Sequence, residues 1–111
     1  MDPGKRFPAL RRQEREHDGG DVIVQCWAEW NTYDVTCSER LAEAAQACGV
    51  SHLCRSHDVN DPAWWEDLRH WGIVNIPAIV FFRNGSRVET VIGLRPVEHL
   101  EATLARWTGI E

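Results

Sequence analysis

The stretch Val22-Ile23-Val24-Gln25-Cys26-Trp27-Ala28-Glu29-Trp30-Asn31-Thr32-Tyr33-Asp34 decides the fold of this chain. Its first six residues are apolar on both parities except at Gln25. A strand with one face in water alternates, whereas a strand covered on both faces does not. This one therefore belongs inside a parallel or mixed sheet. From about Thr32 to Cys48 the period changes to that of a helix. Cys37, Leu41, Ala44, Ala45 and Cys48 recur on one helical face, and Gly49 supplies a left-handed stop.

Downstream, Val50 to Val59 reads as a second strand, interrupted by His52, Arg55, Ser56 and His57. Asp61-Pro62 is an N-cap followed by proline at the first helical position, and Trp64, Leu68 and Trp71 then share a face before Gly72. Trp64, Trp65 and Trp71 cannot all lie on that face, so Trp64 or Trp65 is expected at the surface. Ala78 to Phe82, Asn84-Gly85 and Val88 to Ile92 read as strand, hairpin turn and strand. Pro96 opens a last helix whose Val97, Leu100, Leu104 and Trp107 face inward. The order β-α-β-α-β-β-α predicts an α/β domain, a central mixed sheet with helices on both faces. Its first two strands are expected to pair through a right-handed crossover.

Residues 1–20 are polar and charge-mixed, ending in Asp18-Gly19-Gly20, and are expected to form a flexible arm ahead of a folded unit at 21–111. A chain of 111 residues with 43% apolar content suits one domain with a two- or three-layer core. The formal net charge of −5 argues against a nucleic-acid or anionic-membrane surface. No run approaches the roughly 18 apolar residues of a membrane helix. Met1-Asp2-Pro3-Gly4-Lys5-Arg6 leads into charge rather than an apolar signal core, so a cytoplasmic location is expected. Cys26, Cys37, Cys48 and Cys54 then read as reduced thiols.

From Asp21 to Trp107 the order and landmarks resemble the thioredoxin family. Trp27-Ala28-Glu29-Trp30 is similar to the segment before that family's Cys-x-x-Cys. Gly72-Ile73-Val74-Asn75-Ile76-Pro77 is similar to the segment carrying its cis-proline. Asn84-Gly85 and Gly93 match its hairpin turn and the glycine near its substrate groove. Asp61 to Trp65 holds a few extra residues relative to the family. The resemblance implies the thioredoxin fold, but Asn31 and Asp34 stand at the two cysteine positions, with Thr32-Tyr33 between them. Gln25 stands where the family usually has a buried aspartate. A dithiol enzyme needs two sulfurs close enough to bond, one of them a low-pKa thiolate. An amide and a carboxylate cannot cycle electrons.

Without the family, Asn31 reads as an N-cap and Asp34 as the reciprocal carboxylate of a capping box, favourably placed at the positive end of the helix dipole. Cys37 lies one turn too far along to replace a missing sulfur and reads as a buried hydrophobe; a single reactive thiol at Cys37 or Cys26 is the enzymatic alternative. Cys48, His52, Cys54 and His57 fall within ten residues, but His52 and Cys54 share a strand face that His57 does not. No metal and no cofactor is expected. The resemblance further implies that the residue before Pro77 offers main-chain groups to an extended peptide. With Trp30 and Tyr33 as aromatic anchors, the expected contact face is Trp30, Asn31, Thr32, Tyr33, Asp34, Ile76, Pro77 and Gly93. The reading is a redox-inactive module, a chaperone, adaptor or complex subunit, that binds a protein or an extended peptide.

Overall fold

The computed structural model describes residues 6–11, 14, 20–28, 30–73 and 75–109. Four strands form one sheet: β1 (Val22–Trp27), β2 (Cys54–Asp58), β3 (Ala78–Arg83) and β4 (Ser86–Ile92). Their order is β2-β1-β3-β4, with β1 parallel to β2 and antiparallel to β3, and β3 antiparallel to β4. The sheet is mixed, as expected. β1 has hydrogen-bonded neighbours on both sides and helices above and below, which is why it carries almost no polar residue.

Two apolar layers clothe the sheet. On one face Ile23, Ile79, Phe81 and Val91 meet α1 (Tyr33–Ala47) through Cys37, Leu41, Ala44 and Ala45. The same face meets α3 (Val97–Thr108) through Leu100, Leu104 and Trp107. On the other face Val22, Val24, Cys26, Val80 and Phe82 meet Trp64, Leu68 and Trp71, which flank and form α2 (Trp65–His70). Phe81 and Phe82 are successive residues of β3, so the strand's pleat sends one to each layer. Burying each contributes about 1.5–3 kcal/mol. The indole of Trp71 sits edge-on to Phe82 at 5.2 Å, and Trp64 edge-on to His57 at 4.8 Å. Trp65 is the exposed member of the tryptophan pair.

The turns follow their residue chemistry. Asn84 and Gly85 both have positive φ, 52° and 79°, the pairing that closes a tight two-residue hairpin. Asp61 caps the short 3-10 turn Pro62–Trp64 by accepting the Ala63 N–H at 3.0 Å. β2 begins later than the sequence predicts: Ser51–Leu53 forms a 3-10 turn after Val50, and the strand starts at Cys54.

The expected arm needs a correction where it is described. Phe7 and Leu10 are buried, one in each apolar layer. Between them the chain pairs with the outer edge of β2. Ser56 donates its N–H to Pro8 O at 2.8 Å, and Leu10 donates to Ser56 O at 2.9 Å. The Ser56 hydroxyl donates to Phe7 O at 3.1 Å. Arg55 reaches Glu14 at 2.9 Å, and Glu14 also accepts the Arg11 N–H at 3.0 Å. An edge strand offers unpaired N–H and C=O groups, and this segment satisfies those of Ser56. Residues 6–11 are therefore part of the folded unit. The remainder of the expected arm, apart from Glu14 and Gly20, lies outside the described residues.

Candidate functional site

Strand pairing alone brings the site together. Cys26 of β1 is paired with Ala78 of β3, and Ala78 with Ile92 of β4. Trp27 is paired with Asp58 of β2. The loop after β1, the residue after β2, the segment before β3 and the residue after β4 therefore meet at one end of the sheet. Trp27 O accepts the Val59 N–H at 2.9 Å, and Pro77 O accepts the Gly93 N–H at 2.8 Å. Gly93 has φ of 90°, a conformation that a side chain disfavours. The Ile76–Pro77 peptide bond is cis.

Asn31 ties the loop to the proline segment. Its Nδ2 donates to the Ile76 carbonyl at 3.1 Å, while its Oδ1 accepts the Tyr33 N–H at the head of α1, 3.0 Å away. Ile76 N–H is in turn accepted by Asn75 Oδ1 at 3.0 Å. Trp30 and Tyr33 stand out from this framework, 69% and 64% exposed. Trp30, Val59, Leu68, Ile73, Asn75 and Ile76 line an open, mostly apolar groove of about 260 Å³. That is below the roughly 300–1,000 Å³ of small-molecule pockets.

Asp34 departs from its expected role. It does not reach back to the Asn31 N–H, which is accepted instead by Ala28 O at 3.1 Å. The Asp34 side chain turns inward, is fully buried, and its Oδ2 accepts the Ala28 N–H at 2.8 Å. Burial pushes its carboxyl above the usual range, and the Ala28 hydrogen bond offsets this only in part. Its other oxygen has no hydrogen-bond partner among the described residues. Gln25 lies beneath, fully buried, its Nε2 donating to the Asp34 main-chain oxygen at 2.9 Å. Where a buried acid would need a proton or a partner, the neutral amide ties β1 to the first turn of α1.

Three of the four thiols are buried. All four cysteines are free, and Cys26, Cys37 and Cys54 are buried. Burial pushes Cys37 up to about 12, with Asp34 adding to the shift and Arg40 opposing it. Cys54 is likewise pushed up to about 12 by burial, against Arg55. Cys26 is raised further by burial, then by Asp34 and Cys37. A nucleophilic cysteine needs the opposite shift. Cys54 packs in the layer beneath α1, His57 packs against Trp64 on the other face, and His52 is exposed.

Of the residues expected at the contact face, the structure brings together Trp30, Asn31, Ile76, Pro77 and Gly93. Tyr33 and Thr32 are exposed at the head of α1, and Asp34 is withdrawn into the core. Sequence reasoning missed Asn75, Val59 and Ile73, and placed Leu68 only in the core. An asparagine directly before Ile76-Pro77 was the available signal for the first. The others are apolar residues that only the tertiary fold gathers.

The thioredoxin family model matches residues 12–106. A thioredoxin of Alicyclobacillus acidocaldarius is 32% identical over 84 residues, 76% of this chain and 78% of that protein. A thioredoxin of Listeria monocytogenes is 28% identical over 94 residues, 85% of this chain and 89% of its own. Among solved structures, a Malassezia sympodialis thioredoxin superposes with a TM-score of 0.69 at 23% identity, covering 90% of this chain and 87% of that one. A thioredoxin-like protein from Clostridium perfringens gives 0.73 at 14% identity, covering 97% and 86%. The mixed sheet with helices on both faces is the thioredoxin fold. The chain belongs to the thioredoxin family.

Proposed function

We propose that this protein is a redox-inactive, thioredoxin-like module that binds a protein or an extended peptide at the groove beside Pro77. The observation that carries the reading is the pairing of a retained surface with a lost reaction centre. Trp30 and Ile76 line an apolar groove with Tyr33 exposed at the head of α1, while Asn31 and Asp34 hold hydrogen bonds where the resemblance places two sulfurs. Exposed aromatics beside an apolar cleft are effective anchors, because large rigid rings bury much area at little entropic cost. Chaperone, adaptor and complex subunit are the roles this suits. Four free thiols fit a reducing, cytoplasmic setting. The monothiol alternative at Cys37 or Cys26 is disfavoured by burial and by raised thiol pKa values.

Affinity capture from the native host, with the accessible thiols blocked by iodoacetamide, tests this directly. A partner that is still captured after alkylation and lost in Trp30→Ala and Tyr33→Ala supports groove binding. Capture that disappears on alkylation but survives in both aromatic variants contradicts it.

A further inference from the structure

Resting on that reading, we propose that Asn31 is a latch on the groove: its side-chain amide occupies the main-chain position that an extended peptide must take, so binding requires Asn31 to swing away. Ile76 is a half-buried residue two positions before β3, and both of its main-chain polar groups are bonded to asparagine side chains. Asn31 Nδ2 donates to its carbonyl at 3.1 Å, and Asn75 Oδ1 accepts its N–H at 3.0 Å. A carboxamide carries the same donor and acceptor as a peptide bond. The two asparagines together supply what one residue of an added strand would supply, a donor for the carbonyl and an acceptor for the N–H.

The two side chains differ in how firmly they hold. Asn75 is exposed and bonds to the residue beside it in sequence. Asn31 crosses 45 positions of sequence, is half-buried, and is fixed at its other end by the Tyr33 N–H. Asn31 is therefore the group whose removal changes affinity.

The occupant follows from the charge of the chain segment that contributes to the groove. Val59 and Leu68 line the groove, and the stretch from His57 to His70 around them carries Asp58, Asp61, Glu66 and Asp67 against the single cation Arg69. A chain of net charge −5 adds to that field. The partner segment is extended, with a large apolar side chain for the groove and Lys or Arg beside it.

Random dodecapeptides displayed on phage, selected in parallel against wild type and Asn31→Ser, provide the probe. Serine still accepts the Tyr33 N–H as a cap but cannot reach Ile76. The best peptide is resynthesised with its main-chain amides methylated, which removes strand pairing and leaves the side chains. Asn31→Ser is expected to bind the selected peptide about fivefold tighter than wild type, the worth of one freed hydrogen bond. That gain should vanish with the methylated copy, and the selected sequences should be basic beside their apolar anchor. A peptide bound equally or more weakly by Asn31→Ser, or a gain that survives methylation, overturns the latch and leaves groove binding intact. Failure of either protein to select any peptide overturns both. If Asn31→Ser does not fold, Asn31→Asp, isosteric and without a donor, takes its place with the methylated copy as the deciding comparison.

Discussion

The Asp34 carboxylate accepts the main-chain N–H of Ala28 at 2.8 Å from a fully buried position. The bond closes the loop between β1 and α1 from beneath, so the residue at one expected sulfur position holds the backbone. It also sets a titration. The folded-state carboxyl lies above its ordinary value of 3.8 because burial disfavours the charge.

A raised carboxyl pKa makes the native state bind more protons than the unfolded chain, so this group's contribution to stability falls as pH rises through the folded value. Asp34→Asn keeps an oxygen for the Ala28 N–H and removes the charge. In urea melts from acidic to neutral pH, Asp34→Asn should be more stable than wild type at neutral pH, with the gap closing as pH drops through the raised carboxyl value. Glu14 works in the other sense. Its burial is outweighed by the Arg11 N–H and the Arg55 guanidinium, which hold it below the usual range. Comparing the two proteins at each pH subtracts that contribution. A gap constant with pH contradicts the assignment.

Docking of the N-terminal segment has a measurable worth. Phe7 is buried in the same apolar layer as Cys54 and Leu41, under α1. Phe7→Ala should lower unfolding free energy by about 3 kcal/mol, the low end for a large-to-small core change because the site lies at the sheet edge. Pro8→Ala, at an exposed position, should cost less than about 1 kcal/mol. Equal stability of Phe7→Ala and wild type in denaturant melts would show that the segment does not pack.

Thiol labelling should divide the cysteines by burial. With Cys37 pushed up to about 12 by burial, its thiolate at pH 7 is far scarcer than the few per cent of a free cysteine. Cys48 is the half-buried one. A disulfide reagent at neutral pH should label one thiol per native chain quickly, and Cys48→Ser should abolish that phase. Fast labelling lost in Cys37→Ser instead would favour a monothiol oxidoreductase.

Much of this architecture is legible in sequence because its signals are local. The unbroken apolar run from Val22 identifies a strand with neighbours on both sides, Asn84-Gly85 its hairpin, and Leu100, Leu104 and Trp107 the inner stripe of the last helix. What was not legible depends on contacts across the fold. Asn31 and Asp34 have the spacing of a capping box, but the Ala28 N–H competes for the carboxylate and burial decides the outcome. Phe7 and Leu10 straddle the β2 edge with only two residues between them, too short a pattern to register as a strand. The Asn31–Ile76 bond joins residues 45 apart, and only the pairing of β1 with β3 makes them neighbours.

An insulin-reduction assay reads whether the groove beside Pro77 stands without an electron-transfer centre. Wild type is expected to give no turnover above the chemical reductant alone, whereas the double variant Asn31→Cys with Asp34→Cys should give measurable turnover from the restored sulfur pair. Wild-type turnover that alkylation abolishes would contradict the account.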